Sequence, residues 1–159
     1  MGLLLANPIK RSRIVIEKAW AMVICAFAVG FATFAGVAFG SLLGGLGMST
    51  GNIAAASLLV VLLGLVFGAL ALALSAATGR VRVAVFGSIG VTAVFYMVDS
   101  FLPLSQSAAG YARLSPFYYY LSSDPLLTGM HWGHGALLAG LSVGLIALSV
   151  VLFQRRDLR

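Results

Sequence analysis

The chain has 159 residues, of which 61% are apolar and 9% charged, and its mean hydropathy is +1.06. Soluble domains are about 45–50% apolar and about 25% charged, and disordered chains are more polar still, so the composition excludes both classes. The formal net charge is +6. Because the basic residues stand between long apolar blocks, this charge indicates orientation in a membrane rather than binding to nucleic acid.

The first 18 residues form a basic segment ahead of the first apolar block. Asn7 and Pro8 are typical of a helix start, since asparagine caps free N–H groups and proline is preorganised for the first turn. Apolar residues then alternate with Lys and Arg, as in helices that lie on an inner membrane surface. Residues 1–18 are therefore either a cytoplasmic amphipathic segment that docks a partner or simply the positive flank of the first span.

Four apolar blocks follow this segment. No charged residue lies between Lys18 and Arg80, but a run of glycine and small polar residues over 44–52 divides that stretch. Such a run marks a turn and predicts two helices. A bilayer span needs about 20 apolar residues, which each block provides. The sequence predicts an all-α polytopic transmembrane bundle, a single domain over 1–159, with four spans near 19–43, 53–77, 83–102 and 135–153.

The distribution of Lys and Arg predicts how these spans are oriented. A cytoplasmic N-terminus places nine of the ten basic residues on the inner side and only Arg113 on the outer side, as the positive-inside rule requires. The inner residues are Lys10, Arg11, Arg13, Lys18, Arg80, Arg82, Arg155, Arg156 and Arg159. An even number of spans then puts both termini in the cytoplasm and residues 103–134 outside.

Pro116 and Pro125 interrupt the outer segment 103–134, and no piece of the interrupted segment is long enough to cross a bilayer. We expect short interfacial or re-entrant helices there. The segment also carries a run of aromatic residues, which are typical of a belt at the headgroup level, with an outer gate as the alternative role. The candidate gate residues in this run are Phe117, Tyr118 and Tyr119.

Candidate chemistry is sparse. Asp99 is the only acidic residue within an apolar block, so it either packs at the outer interface or contacts a substrate or ion on the translocation path. His131 and His134 lack a third ligand, and the glycines at 133 and 135 argue against a firm helix there, so no metal site is predicted. With no nucleophile–base pair in a span and no G-x-x-x-x-G-K-[ST] phosphate loop, the sequence predicts no enzyme and no cofactor of its own.

Glycine pairs four residues apart lie inside three of the predicted spans, at Gly36/Gly40, Gly64/Gly68 and Gly140/Gly144. This spacing puts small residues on one helix face and lets helix backbones approach closely. The pairs indicate a tight bundle or a face for a second copy. They also support an alternative function, a small self-associating bundle that acts as a pore-former or membrane scaffold without an ATPase.

Three segments resemble ABC-2-type transporter permeases. Residues 3–15, LLLANPIKRSRIV, resemble the family's LLL-x-x-P-x-x-R-x-x-I-V segment. Residues 114–119, LSPFYY, followed by Asp124-Pro125-Leu126, Gly129 and Trp132, resemble its SPF-x-Y…PL…G-x-x-W outer segment. The C-terminal FQRRDL resembles its F-x-RRDL ending. The order and spacing of these motifs agree with the predicted topology, and the resemblance covers the whole chain.

The resemblance implies a membrane subunit of an exporter in the plasma membrane that pairs with a separate cytoplasmic ATPase, which binds the ATP. It also implies a second permease subunit, as a homodimer or heterodimer, with re-entrant outer helices capping the path between the two. By the match to the coupling segment, the residues at the ATPase contact would be Leu3, Leu4, Leu5, Pro8 and Arg11.

The resemblance also has one departure, because members of this family usually have six spans and four are predicted here. The chain begins within the coupling loop, so the first two spans are expected to be missing. Three explanations are open: a misplaced start, a degenerate fragment, or another chain that supplies the missing spans. We favour a start further upstream, in which case these four spans alone would not transport.

Overall fold

The computed structural model describes residues 11–101, 114–122 and 124–155, without the side chains of residues 11, 12, 14 and 155. All regular secondary structure in these residues is helical, which confirms the predicted all-α class. In chain order the helices are α1 Arg11–Leu43, α2 Thr50–Thr78, α3 Val81–Phe101, α4 Pro116–Leu121, α5 Pro125–Thr128 and α6 Trp132–Arg155.

Four of these helices are long and apolar enough to cross a membrane, as predicted. The candidate spans are Val15–Leu43, Thr50–Thr78, Val81–Phe101 and Trp132–Gln154. The expectation that glycines 133 and 135 prevent a firm helix is wrong, because α6 begins at Trp132 and includes both. Tertiary packing on α2 stabilises this first turn despite its glycines, since a Cβ on Gly135 would contact Leu62 Cδ1 of α2 at 3.7 Å.

The described part of the basic N-terminal segment, residues 11–18, and the first span share one helix. From Arg11 onward α1 continues without a break into the span and ends at Leu43. The predicted turn over 44–52 follows, and Gly45 and Gly47 both adopt positive φ angles, 60° and 62°. Only glycine takes this left-handed conformation without steric cost, which explains why the chain reverses here and α2 starts at Thr50.

The second helix is the centre of the bundle. It packs against α1, α3, α4, α5 and α6. In the most apolar stretch of α2, 39% of the residues are buried, against 6% in α1 and α3. The fully buried Leu59 of α2 meets Leu138 of α6 in the core, together with Val66. The outer faces of α1 and α3 are consequently exposed at the surface of the bundle.

Two glycines allow α1 and α2 to approach closely. A Cβ on Gly30 would overlap Val61 Cγ2, and a Cβ on Gly68 would lie 2.5 Å from Met22 Sδ. By contrast, Gly36 and Gly40 of α1 and Gly140 and Gly144 of α6 have no neighbouring atom within 4 Å of the same position. Of the three glycine pairs predicted to pack helices, only one member, Gly68, does so tightly within the chain.

Candidate functional site

One end of the bundle is basic. A cavity of about 60 Å³ is lined by Lys18 of α1, Ser75 of α2 and Phe153 of α6, which places the start of α1 beside the ends of α2 and α6. Arg80 and Arg82 lie just beyond the end of α2 and are therefore at the same end of the bundle. Helix α2 ends at Thr78, and the N–H of its cap residue Gly79 donates to the Ser75 carbonyl at 2.8 Å. Residues predicted to share one side of the membrane therefore share one end of the fold.

Most of this positive charge is not neutralised within the described part of the chain. The exposed Arg13 donates from Nε to Glu17 Oε1 at 2.9 Å, one helical turn away. No such ion pair involves Lys18, Arg80 or Arg82 among the described residues. An exposed pair of this kind contributes little to folding, so the basic end is best regarded as an electrostatic surface.

Most of the predicted ATPase-contact residues lie outside the described residues. These are Leu3, Leu4, Leu5 and Pro8. Arg11 is the first residue of α1, and its side chain is not described. The segment that carries them thus leads directly into α1 at the basic end, and their role stays a prediction.

At the opposite end, two short helices are tied to the long ones by side-chain hydrogen bonds. Ser115 is fully buried, donates from Oγ to the Phe95 carbonyl of α3 at 3.1 Å, and accepts from the N–H of Phe117 at 3.2 Å. It therefore caps α4 and anchors it on α3. Asn52 of α2 donates from Nδ2 to the carbonyls of Leu126 and Leu127, at 3.0 and 3.1 Å, and holds α5 in the same way.

The predicted gate residues lie together on α4, but they contact different helices. The ring of Phe117 lies 5.2 Å from that of Phe67 on α2 and 5.6 Å from that of Tyr96 on α3. The Tyr119 ring contacts Tyr118 at 5.6 Å and His134 of α6 at 5.3 Å. Short helix α4 is thus wedged between three long helices, and its aromatic residues are half-buried rather than a purely superficial belt.

Asp99 is 9% exposed in the last full turn of α3. It follows Phe95, the residue whose carbonyl anchors α4, by one helical turn. This location is at the end of the span away from the basic end, where a carboxylate can pack near the interface or face a translocation path. The structure therefore brings Asp99 and the predicted gate residues to the same end of the bundle.

The described residues contain no group of three His, Cys, Asp or Glu side chains that could hold a metal ion. The rings of His131 and His134 are 5.5 Å apart and stacked, and Nδ1 of His134 is buried without a hydrogen-bond partner in the described chain. Stacked rings direct their nitrogen atoms along parallel planes, so this geometry does not focus them on one cation.

Sequence reasoning missed the two anchoring residues, Ser115 and Asn52. The dipeptide Ser115-Pro116 is a helix-start signal of the same kind as Asn7-Pro8 and could have identified the cap. Asn52 stands in a run read only as a turn, and its partners are 74 and 75 residues away. No local pattern predicts such a contact.

Comparison with known proteins adds the family. The profile of a family described as ABC-2 family transporter protein matches residues 1–158. No curated protein and no solved structure matches the chain. The match extends over all the described elements and agrees with the resemblance carried by the N-terminal, outer and C-terminal motifs.

Proposed function

Because the chain belongs to the ABC-2 transporter family, we propose that it is the permease subunit of an ATP-driven exporter in the plasma membrane. The family and the four apolar helices make it a multi-pass membrane transport protein. In our proposal the ATP is bound by a separate cytoplasmic ATPase. The family match over residues 1–158 is the observation that carries the proposal.

The basic end of the bundle is our proposed cytoplasmic face. Its described cations are Arg13, Lys18, Arg80 and Arg82, whereas the described residues of the opposite end include no Lys or Arg. Inner loops of membrane proteins carry this excess of positive charge. The ATPase would dock at this face through the segment that precedes α1, with Leu3, Leu4, Leu5, Pro8 and Arg11 at the contact.

Helix α1 is suited to carry the motion of a docked ATPase. It has 33 residues without a break, and at 1.5 Å per residue it is about 50 Å long, more than the thickness of the hydrocarbon core. Its close packing on α2 at Gly30 and Gly68 means that a tilt of α1 would displace the central helix as well. Displacing α2 would in turn move α4 and α5, which pack on it.

The translocation path is proposed to run between two permease subunits, with Asp99, Phe117, Tyr118 and Tyr119 near its outer gate. Support comes from the wedge that α4 forms at that end, because a change in the angle between α2 and α3 would alter the contacts of Phe117. A second subunit is supported by the weakly buried faces of α1 and α3.

One observation also fits the alternative of a self-associating bundle that has no ATPase. Gly36, Gly40, Gly140 and Gly144 face open space within the chain, and small residues at this spacing are typical of helix–helix contact surfaces. The same surfaces would serve a permease dimer. The presence or absence of a bound ATPase therefore separates the two functions.

The test is a C-terminal tag after Arg159 at the native locus, purification in mild detergent, and intact-mass measurement of the chain and everything bound. A stoichiometric ATPase supports the permease, and a tagged chain well above 16.5 kDa would also support an upstream start. A chain whose mass without the tag is 16.5 kDa and that copurifies only with itself would overturn the proposal in favour of the self-associating bundle.

A further inference from the structure

A crevice opens at the outer end of the bundle, apart from the proposed gate residues. It has a volume of about 340 Å³ and lies between the turn before α2 and the α4–α5 connection. Met48, Leu121 and Leu126 give it apolar walls, and Tyr120 and Asp124 also line it. This volume is at the small end of the range for ligand pockets, about 300–1,000 Å³.

Asp124 brings a single negative charge to this apolar crevice. Its side chain makes no capping hydrogen bond to α5, although it occupies the N-cap position. No Lys or Arg of the described chain forms an ion pair with it. Among the described residues nothing neutralises the carboxylate, which can therefore meet a cation that enters the crevice, and the Tyr120 ring adds an aromatic surface of the kind that attracts cations.

The backbone holds Asp124 in place at a cost. Its φ angle is 38°, the only positive value among the described non-glycine residues. Such a conformation persists only where surrounding contacts enforce it. Two sets of hydrogen bonds provide these contacts. The Asp124 carbonyl accepts from the N–H groups of Leu127 and Thr128 at 2.8 and 3.0 Å, and the Asn52 side chain holds α5. The crevice is thus a preformed feature of the fold.

The geometry points to a binding site for a cationic amphiphile, a molecule with one positively charged head and an apolar tail. The head would lie against Asp124 and the tail against Met48, Leu121 and Leu126. A zwitterionic phospholipid is a poorer occupant, because the phosphate next to its cationic group is repelled by the Asp124 carboxylate and cancels its net charge. This site needs neither nucleotide nor ATPase, so its failure would leave the proposed permease function standing.

The test uses the full chain in nanodiscs of zwitterionic lipid and a decyltrimethylammonium probe with a photoreactive group on its tail. The matched control is the neutral isostere, in which a tert-butyl group replaces the trimethylammonium head. Labelled residues are mapped by mass spectrometry. Two variants remove the charge without demanding a new backbone shape, D124N because asparagine tolerates positive φ and D124G because glycine adopts it freely.

We expect the cationic probe to label the crevice saturably. In D124N and D124G the probe concentration at half-saturation should be about fivefold higher, which is the upper range for the loss of a solvent-exposed ion pair. The neutral probe should label wild type and variants equally, and high salt should shrink the difference between them. Non-saturable labelling, or equal half-saturation of the cationic probe in wild type and both variants, would overturn the site. The site would also be overturned if D124N and D124G weakened labelling by the neutral probe as much as labelling by the cationic probe.

Discussion

The contact between Gly30 and Val61 offers a direct measure of how closely α1 must approach α2. An alanine at position 30 would place its Cβ on top of Val61 Cγ2, with Val61 Cβ only 3.6 Å away. Valine is β-branched and has few alternative rotamers, so its methyl group cannot simply turn aside. The clash must be relieved by moving α1 away from the central helix.

Gly36 is the matched control within one chain, because it lies on the same helix and an alanine Cβ there meets nothing within 4 Å. Since Gly36 belongs to the proposed surface for a second copy, the two variants are compared as monomers. Both substitutions gain the same helix propensity, about 0.5–1 kcal/mol for glycine to alanine. The difference between the two variants therefore isolates the overpacking cost, which is typically about 1–3 kcal/mol. We expect Gly30→Ala to be less stable than Gly36→Ala by this amount.

The assay is the free energy of unfolding in mixed micelles, followed by the fluorescence of the tryptophans. A double variant, Gly30→Ala with Val61→Ala, should recover much of the Gly30→Ala loss relative to Val61→Ala alone, since removing the valine methyls makes room for the new one. If Gly30→Ala and Gly36→Ala unfold with equal free energies, the close approach of α1 and α2 at this point is wrong.

Three further predictions concern the two ends of the bundle. Arg11→Glu with Pro8→Ala should abolish copurification of the ATPase while membrane insertion is retained, and unchanged ATPase binding would refute the docking assignment. Asn52→Ala should speed amide hydrogen exchange in α5 about tenfold, equivalent to about 1.4 kcal/mol for the loss of both exposed hydrogen bonds from Asn52 to α5, with α3 unaffected as the internal control. Ser115→Ala should lower the free energy of unfolding by about 1–2 kcal/mol, because it removes a helix cap and the hydrogen bond to α3. Ser142→Ala loses only a hydrogen bond within its own helix and should lower it by less. Equal losses in the two variants would contradict the anchoring role of Ser115.

Much of the fold could be predicted because it follows from composition along the chain. Transfer of apolar residues into the bilayer is a local property, so uncharged blocks predict the four spans to within a few residues of the helices found. The turn between the first two spans was also predictable, since Gly45 and Gly47 supply its left-handed conformation. The glycines near the start of α6 wrongly predict that no firm helix forms there, because helix propensity alone leaves out the packing that overrides it.

The site was less predictable for the same physical reason. The candidate gate residues Phe117, Tyr118 and Tyr119 stand out in the sequence by their aromatic character, and their gate role stays a prediction. Nothing local indicates that Phe117 inserts between α2 and α3 while Tyr119 contacts α6. Asn52 was absent from the predicted site, because its partners lie on a helix more than 70 residues away.

By itself, the sequence determined that this protein is a bundle of membrane-spanning helices, where the spans lie, and which family it resembles, because hydropathy, charge distribution and short motifs are read residue by residue. Only the tertiary structure decided that α2 is the central helix, that Gly68 packs tightly while Gly36 and Gly40 stay open, and that Asn52 holds the outer crevice in shape. These features depend on which helix faces meet, and helices of nearly uniform hydrophobicity carry little local information about that choice.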